Sequence, residues 1–472
     1  MDTSMNEREH TNALLLRGER IIDPSQNLDG PGDLLIADGQ IIAVGPTSEV
    51  QPHIGKVIQS GHGLQPIDLP PGLIVAPGLV DLHVHLREPG FEDKETIQTG
   101  AEAAARGGFT TICCMPNTKP VLDSQATLEF VARAASNVSA RVRPIAAISK
   151  GEKGAELSEM AELAEAGAVA FSDDGRPVSN SKLMRSALEY ATMLDRPIVE
   201  HCEDEGLAAG GVMNEGAIAT RLGLKGWPAA AEEIMLARDL LLVRLTGGRY
   251  HAAHISTAGS VELIRRAKTE GLPITAEVTP HHLLLTDAWV AGQRAGLLGQ
   301  DAPTQGHPYD TATKVNPPLR TQADADALIE GLLDGTIDAI ATDHAPHTVV
   351  DKACEYDEAA FGISGLETAL GALLALVHAG KVPLATLVAA LTVRPAQAFS
   401  LSAGTLRPGA AADITIFDPH ERWSVNPARF ASKGKNTPLA GLTLKGRVRY
   451  TILGGRMVYE AGVVDQALAT TR

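Results

Sequence analysis

The chain lacks several features that would place it in a specialised class of protein. It has four cysteines in 472 residues, Cys113, Cys114, Cys202 and Cys354, and no two of them form a Cys-x-x-Cys pair. This excludes a zinc ribbon and a disulfide framework, and it indicates a reducing compartment. No run of 18 apolar residues occurs, so a membrane-spanning helix is not predicted. The first ten residues, MDTSMNEREH, lack the apolar stretch of a signal peptide, and we expect a cytoplasmic protein.

Positive charge is also in short supply. Lys and Arg number 41 against 57 Asp and Glu, which gives a formal net charge of −16. A chain with this balance is repelled by nucleic acid and by anionic membrane surfaces, so neither is an expected partner. A small anionic substrate is compatible with it only where a local positive group overrides the global field.

The length of the chain predicts more than one structural unit, since single domains seldom exceed about 300 residues. Both ends show short apolar strands with hairpin signals, Asp38-Gly39 near the start and Gly454-Gly455 near the end. We therefore expect residues 1–70 and 401–472 to form one small β-sandwich. The middle, residues 71–400, is expected to be a separate domain inserted between them.

The middle of the chain alternates short apolar strands with helical stretches. Eight such strands can be counted: LIVAPGLVDLHVHL, FTTICCMP, VRPIAAIS, GAVAFSDDG, RPIVEHCED, RYHAAHIST, LPITAEVTPHH and IDAIATDHAP. Eight strands alternating with helices predict an α/β fold of the closed (β/α)8 type, a TIM-like barrel. A doubly wound open sheet is the alternative, but no Gly-x-Gly-x-x-Gly follows the first strand. Residues 290–313 are predicted to be a long loop after the seventh strand.

Polar residues recur at the carboxyl ends of these strands, where barrel enzymes place their active sites. Each residue alone has an ordinary explanation: His201 as a core histidine, Asp174 as a turn or helix-cap residue. Their recurrence on five strands instead predicts a site for Zn²⁺ or a related divalent metal. Six ligands are enough for two metals that share a carboxylate, a centre suited to hydrolysis. The candidate ligands are His83, His85, Asp173 or Asp174, His201, His254 and Asp343.

The same residues lie in motifs that resemble the amidohydrolase superfamily, and within it the class I dihydroorotases. The matching runs span residues 76–370: PGLVDLHVHLREPG, KETIQTG, CMPNTKP, AFSDDG, HCED, HIST, TPHHLLLTD, VNPPLR, ATDHAPH and FGISGLETA. The resemblance implies reversible cyclisation of N-carbamoyl-L-aspartate to dihydroorotate, a step of pyrimidine synthesis. It also implies two zinc ions per chain.

The resemblance assigns a role to each matching residue. His83, His85 and Asp343 would hold one metal, His201 and His254 the second, and Asp174 would bridge them. Asp343 would also move the proton during catalysis. Further residues would bind the substrate. Its carboxylate would be held by Arg87, Asn117, Asn316 and His347, and its ring would contact the backbone of Phe361 and Gly362.

Two alternatives to this function remain open at the level of sequence. Hydantoinases and allantoinases resemble this chain, but they usually bridge their metals with a carboxylated lysine, and GAVAFSDDG has none. A non-catalytic relative could serve as a scaffold for aspartate carbamoyltransferase, although every expected ligand is present here. The resemblance also implies a homodimer and allows association of an active enzyme with that transferase. Residues 347–362 are expected to form a lid.

Overall fold

The computed structural model describes residues 13–299 and 306–462. The amino-terminal part contains five strands and one helix. The strands are β1 Ala13–Asp23, β2 Leu28–Ala37, β3 Gln40–Gly45, β4 Leu64–Asp68 and β5 Ile74–Pro77, and helix α1 spans Thr47–Gln59. The predicted hairpin at Asp38-Gly39 is confirmed, because Ala37 pairs with Gln40 and both turn residues have positive φ.

The middle of the chain forms an eight-stranded parallel barrel, as predicted. Its strands pair in chain order, and a parallel bridge from Val84 to His344 joins the first strand to the segment after the last. The barrel strands are β6 Leu79–Val84, β7 Phe109–Cys114, β8 Arg141–Ala146, β9 Ala170–Phe171, β10 Ile198–Glu200, β13 Tyr250–Ala252, β14 Ile274–Val278 and β15 Ala339–Ile340. Between β10 and β13 the chain forms a separate two-stranded ribbon of β11 Met213–Asn214 and β12 Gly226–Trp227.

Helices connect the barrel strands and cover them from outside. They are α2 Ile97–Arg106, α3 Gln125–Ala134, α4 Met160–Glu165, α5 Ser181–Met193, α6 Glu205–Ala208, α7 Ala217–Leu222, α8 Ala230–Thr246, α9 Ala258–Thr269, α10 Pro280–Leu284, α11 Gln322–Asp334, α12 Val349–Lys352, α13 Ala369–His378, α14 Leu384–Leu391 and α15 Val393–Ala398. Several begin with a side-chain cap, such as Thr96 before α2 and Ser124 before α3. None of the helices in the described ranges has both the length and the apolar character needed to cross a lipid bilayer.

The chain returns to the first sheet at its carboxyl end. Strands β16 Ile414–Ser424, β17 Thr443–Leu453 and β18 Arg456–Glu460 continue the amino-terminal sheet in the order β18-β17-β16-β5-β1-β2-β3, with β4 beside β1. The two termini therefore build one small β domain, as expected. The predicted hairpin at Gly454-Gly455 is also confirmed. The domain limits at 70/71 and 400/401 remain a prediction.

One strand assignment from the sequence is wrong. Residues 73–86 were expected to form a single barrel strand, but β5 pairs with β16 in the terminal sheet and β6 begins the barrel. The chain changes sheets at Gly78, where a Cβ atom would lie 2.0 Å from Thr110 Oγ1. The apolar run is continuous because both segments are buried, so periodicity could not reveal the break.

The barrel interior is a packed core, and this positions the site at one end. Small and branched apolar side chains fill the centre, and Phe399 packs among them after α15. The carboxyl ends of the strands are left as the polar mouth of the barrel. The predicted loop after the seventh strand contains short helical turns at Leu297–Gly299 and Thr311–Thr313, and its residues 300–305 lie outside the described ranges.

Candidate metal centre and substrate site

The six candidate metal ligands meet at the mouth of the barrel. His83 lies near the end of β6, His201 follows β10 directly, and Asp343 comes three residues after β15. All six side chains are almost completely buried, each residue being at most 6% exposed. Because parallel strands end at the same rim, five separate segments deliver their side chains to one point.

Four of these residues surround a first candidate metal position. His83 Nε2 lies 3.4 Å from Asp174 Oδ1 and 3.6 Å from Asp343 Oδ1. His85 Nε2 lies 3.2 Å from Asp343 Oδ1 and 3.5 Å from Asp174 Oδ2. Ligand atoms bound tetrahedrally to zinc at 2.0–2.1 Å stand about 3.3 Å from one another. The spacing of these donor atoms therefore fits a zinc ion.

A second group of donor atoms lies beside the first. His201 Nδ1 is 2.9 Å from His254 Nε2, and the two nitrogens are 3.7 Å and 3.6 Å from Asp174 Oδ1. Asp174 thus faces histidines of both groups, as a bridging carboxylate must. The neighbouring Asp173 is turned away, since its carboxylate accepts hydrogen bonds from the backbone and hydroxyl of Ser149. The structure separates the two aspartates that the sequence places side by side.

Two ligand atoms at the centre of the site have no hydrogen-bond partner among the described residues. His83 Nε2 and Asp174 Oδ1 are both fully buried and unpaired. Buried polar atoms are paired in the great majority of cases, because an unpaired one costs free energy. A cation bound between them would satisfy both, and the donor set therefore fits the metal on a second, independent ground.

The electrostatics of the site keep its two aspartates ionised. Burial alone would raise the pKa of Asp174, but the charge of His83 and the close approach of His201 and His254 hold it well below its usual range. Burial also opposes ionisation of Asp343, but a hydrogen bond from His85 together with the charges of His83, His85 and His254 outweighs burial and lowers the pKa. Ionised carboxylates are the form that binds metal.

A buried carboxylate on β14 orients the first histidine. Glu277 Oε1 accepts a hydrogen bond from His83 Nδ1 at 2.9 Å, which leaves His83 Nε2 facing the metal position. Its second oxygen lies 3.1 Å from His251 Nε2, and His251 Nδ1 lies 2.7 Å from Thr275 Oγ1. Such carboxylates fix the ring and raise its basicity as a ligand. Glu277 is not among the residues predicted from the sequence, although an acidic residue inside the apolar strand ITAEV is a visible signal.

Two of the other three candidate histidines, His85 and His201, have comparable supports. His85 Nδ1 donates to Asn117 Oδ1 at 3.0 Å, so Asn117, predicted only as a substrate contact, also orients a metal ligand. His201 Nε2 lies 2.8 Å from Glu203 Oε2, and this carboxylate also accepts from Asn316 Nδ2 at 3.1 Å. Glu203 was likewise missed, although it stands two residues after His201 in HCED.

Arg87, a predicted substrate contact, lies beyond the end of its barrel strand. β6 ends at Val84, and Arg87 lies in the following turn with φ of 62°. Its guanidinium is half-buried, and this desolvation lowers the pKa, while the charges of Asp343 and Asp174 oppose that shift. Its Nε donates to Pro346 O at 3.3 Å. A half-buried cation thus stands next to the candidate metal ligands without a carboxylate hydrogen-bonded to it among the described residues.

His347 lies between Arg87 and the end of the expected lid. Its Nε2 donates to Phe361 O at 2.7 Å and is 3.5 Å from Arg87 Nη2. Burial, followed by the charges of Arg87 and two lysines, lowers the pKa of His347 to about 3. The imidazole is therefore neutral at physiological pH, and Arg87 supplies the positive charge on this side of the mouth.

The remaining predicted substrate contacts line the same side. Phe361 packs edge-on against Trp227 at 6.0 Å, and Lys314 Nζ lies 4.5 Å above its ring. Gly362 has φ of 140°, and a Cβ atom there would lie 2.7 Å from Ala345, so only glycine fits. Lys352, within the expected lid, donates to the carbonyls of residues 311, 314 and 360 and ties this segment to the loop after β14.

Three site residues adopt backbone conformations that side-chain-bearing residues seldom occupy. The φ angles are 62° for Arg87, 29° for His254 and 45° for Asp343. Residues with a Cβ atom are uncommon at positive φ and concentrate at functional sites, where the surrounding structure holds the strain. The three residues are thus held by the surrounding structure in conformations that an unconstrained chain would seldom adopt.

Comparison with known proteins identifies relatives over nearly the whole chain. A family model described as dihydro-orotase-like matches residues 72–260. A dihydroorotase of Syntrophus aciditrophicus is 51% identical over 448 residues, which cover 95% of this chain and 99% of that protein. A dihydroorotase of Pelotomaculum thermopropionicum is 52% identical over 452 residues, 96% of this chain and 99% of that one.

Solved structures share the architecture. The L-hydantoinase (dihydropyrimidinase) of Arthrobacter aurescens has a TM-score of 0.81 at 26% identity, covering 96% of this chain and 97% of that one. The dihydropyrimidinase of Brevibacillus agri has a TM-score of 0.77 at 20% identity, with 95% of each chain covered. The barrel with its small β domain is therefore an arrangement found among cyclic amide hydrolases.

Proposed function

Since the chain belongs to the dihydroorotase family, we propose that it interconverts N-carbamoyl-L-aspartate and (S)-dihydroorotate at the mouth of its barrel. In the hydrolytic direction the oxygen of water bonds to the ring carbonyl carbon, the carbon–nitrogen bond breaks, and the nitrogen takes up a proton. The reverse direction closes the ring and releases water. This is the third step of pyrimidine synthesis.

The metal centre would contain two zinc ions. His83, His85 and Asp343 would hold one, His201 and His254 the other, and Asp174 would bridge them. The donor spacings near 3.3 Å support this assignment, as does the presence of two histidines in each group. Bound metal would polarise the carbonyl and make water a stronger nucleophile at neutral pH.

The substrate carboxylate would bind on the side of Arg87. A guanidinium offers two parallel N–H donors to a carboxylate, and the half-buried guanidinium of Arg87 is screened less by solvent than an exposed one. Asn117, Asn316 and His347 would complete this contact. Phe361 and Gly362 would meet the ring through their backbone.

Asp343 would move the proton. Its carboxylate is ionised in the structure because His85 and neighbouring charges lower its pKa, so it can accept a proton from the attacking water. The same carboxyl group would then give that proton to the leaving nitrogen. Buried at 4% exposure, it is shielded from exchange with bulk water during the transfer.

One observation carries the proposal: two groups of candidate ligand atoms share Asp174 and stand beside a half-buried arginine, Arg87. A hydantoinase-type activity is the second candidate, since the structural neighbours carry that name. Hydantoin has no carboxylate, however, and would leave the half-buried charge of Arg87 without a partner.

A turnover panel with metal analysis tests the proposal. Purified protein is assayed with dihydroorotate, hydantoin and allantoin, and the zinc content per chain is measured on the same sample. We expect turnover of dihydroorotate at least about a hundredfold faster than of the other two, since a lost charge-assisted contact costs this much. Preference for hydantoin, or a metal-free folded chain without turnover, would refute the assignment; the latter would favour the scaffold role.

Assembly and compartment form a separate part of the proposal. We expect a homodimer that is able to associate with aspartate carbamoyltransferase. The cytoplasm is supported by the four free cysteines, three of them buried. Sedimentation of the purified protein, alone and mixed with the transferase, measures both associations.

A further inference from the structure

The connection between β16 and β17 leaves the terminal sheet and reaches the mouth of the barrel. Lys433 N donates to Glu95 Oε1 at 3.1 Å, just before α2. Gly434 lies so close to Pro346 that a Cβ atom would be 2.4 Å from the proline Cβ. Asn436 follows and is buried, with 7% of its surface exposed. A segment of the small β domain thus packs directly behind predicted substrate contacts.

Asn436 uses every hydrogen-bonding position of its side chain there. Its Oδ1 accepts from His347 N and from Ser364 Oγ, each at 2.9 Å. Its Nδ2 donates to Ala345 O at 3.0 Å and to Gly362 O at 2.9 Å. An amide has two donors and two acceptor sites, so this group is completely satisfied.

These four bonds join the two segments that carry predicted substrate contacts. One segment, residues 345–347, follows Asp343, and the other, residues 362–364, ends the expected lid. They run parallel, with Ala345 N donating to Ile363 O at 2.9 Å. Ser364 N also donates to Asn436 O at 2.8 Å. Asn436 therefore links His347 to Gly362, in addition to the direct bonds from Ala345 N to Ile363 O and from His347 Nε2 to Phe361 O.

We propose that Asn436 is a positioning residue for substrate binding, acting through His347 and the backbone of Gly362. This inference rests on the proposed function, because it takes these two residues as substrate contacts. Loss of the two N–H donors would leave two buried carbonyl groups unpaired, and the segments would move apart to hydrate them. Small displacements of binding groups are costly to a reaction that depends on their geometry.

The contacts of Asn436 also separate it from the metal centre. All four side-chain bonds go to residues 345, 347, 362 and 364, and none of these is a candidate metal ligand. A change at Asn436 should therefore affect substrate binding and leave the metal in place. A purely structural role would instead reduce the amount of active enzyme and leave KM unchanged.

Asn436→Asp is the informative substitution, because it keeps the shape and the acceptor but removes both donors. We expect KM for dihydroorotate to rise about tenfold or more, kcat to change by less than about threefold, and zinc per chain to stay the same. Asn426→Asp is the matched control. Asn426 lies in the same connection, is exposed, and caps a short helical turn through Ala428 N, a role that aspartate performs equally well.

Hydrogen exchange provides a readout that does not depend on activity. In Asn436→Ala, the His347 amide loses its acceptor, and peptides covering residues 345–364 should exchange faster than in the parent and in Asn426→Asp. Unchanged exchange, or a lower kcat with KM unchanged, would overturn the inference. If the parent protein fails to turn over dihydroorotate, the proposed function is wrong. The exchange experiment still decides the role of Asn436 in that case. Faster exchange at residues 345–364 would support the positioning role, and unchanged exchange would refute it.

Discussion

The two sides of the barrel mouth are built differently. The metal side consists of residues in or shortly after barrel strands, and its central atoms, such as His83 Nε2 and Asp174 Oδ1, have no hydrogen-bond partner among the described residues. The substrate side consists of loop residues, and polar groups there such as the His347 imidazole are already bonded, in this case to Phe361 O. On the metal side, the side chains that orient the histidines, such as Glu277, also lie in or shortly after barrel strands. Loops need supports from elsewhere in the chain, such as Asn436 and Lys352.

The largest effect is expected on the metal side, from Asp343→Ala. The substitution removes a predicted zinc ligand and the predicted proton acceptor together, so kcat should fall by more than about a thousandfold. Far-ultraviolet circular dichroism should remain that of the parent, since the barrel core does not include this side chain. The measurement is steady-state turnover of dihydroorotate, with zinc content per chain.

Asp338→Ala is the control from the opposite end of the same strand. Its carboxylate accepts from Ala276 N at 2.8 Å and from Lys268 Nζ at 2.6 Å, far from the mouth. We expect lower stability but a kcat close to that of the parent. Near-full activity of Asp343→Ala would contradict the proton role, and loss of activity in both variants would mean that the two ends of the barrel are not independent.

A smaller and different effect is expected on the substrate side, from Arg87→Met. Because His347 is neutral, Arg87 supplies the charge for the substrate carboxylate, and kcat/KM should fall by about a hundredfold to a thousandfold, mainly through KM. Zinc content should stay unchanged. Arg185→Met, which removes an exposed arginine paired with Glu189 on α5, should be kinetically silent. Loss of zinc from Arg87→Met would show that the two sides cannot be separated.

The same contrast explains what could be read from the sequence. The metal side was predictable, because strand ends in a barrel share one rim and histidines after apolar runs stand out, as in VEHCED. The substrate side was accessible only through resemblance to a family, since a loop residue such as Asn316 or Gly362 has no periodic pattern. Asn436 could not be found at all. It is more than 70 residues from its partners in the chain, and only the packing of the β domain against the barrel brings it to the mouth.

The smallest effect is expected at Glu367, a buried carboxylate that belongs to neither side. It accepts from the backbone amides of Ala431 and Ser432, at 3.0 Å and 3.3 Å, and burial raises its pKa to about 7. The aspartates at the mouth have lowered pKa values because histidines surround them, whereas the nearest cation to Glu367, Arg106, is 3.7 Å away and solvated in part. Burial determines the direction of the pKa shift where a carboxyl group has few charged or hydrogen-bonding partners.

The raised pKa of Glu367 predicts a pH dependence of stability and not of catalysis. Between the unfolded value near 4.5 and the folded value near 7, the folded chain keeps a proton that the unfolded chain has lost, so this group's stabilisation fades as pH rises through that window. Glu367→Gln cannot titrate. Between pH 4.5 and 7, the free energy of unfolding measured by urea denaturation should fall in the parent relative to Glu367→Gln, by up to about 3 kcal/mol. The kcat of the two proteins should be the same. If the free energies of unfolding of the parent and Glu367→Gln change with pH in the same way, Glu367 is ionised in the folded protein. Burial would then not determine the pKa of carboxylates that lie outside the mouth and have few partners.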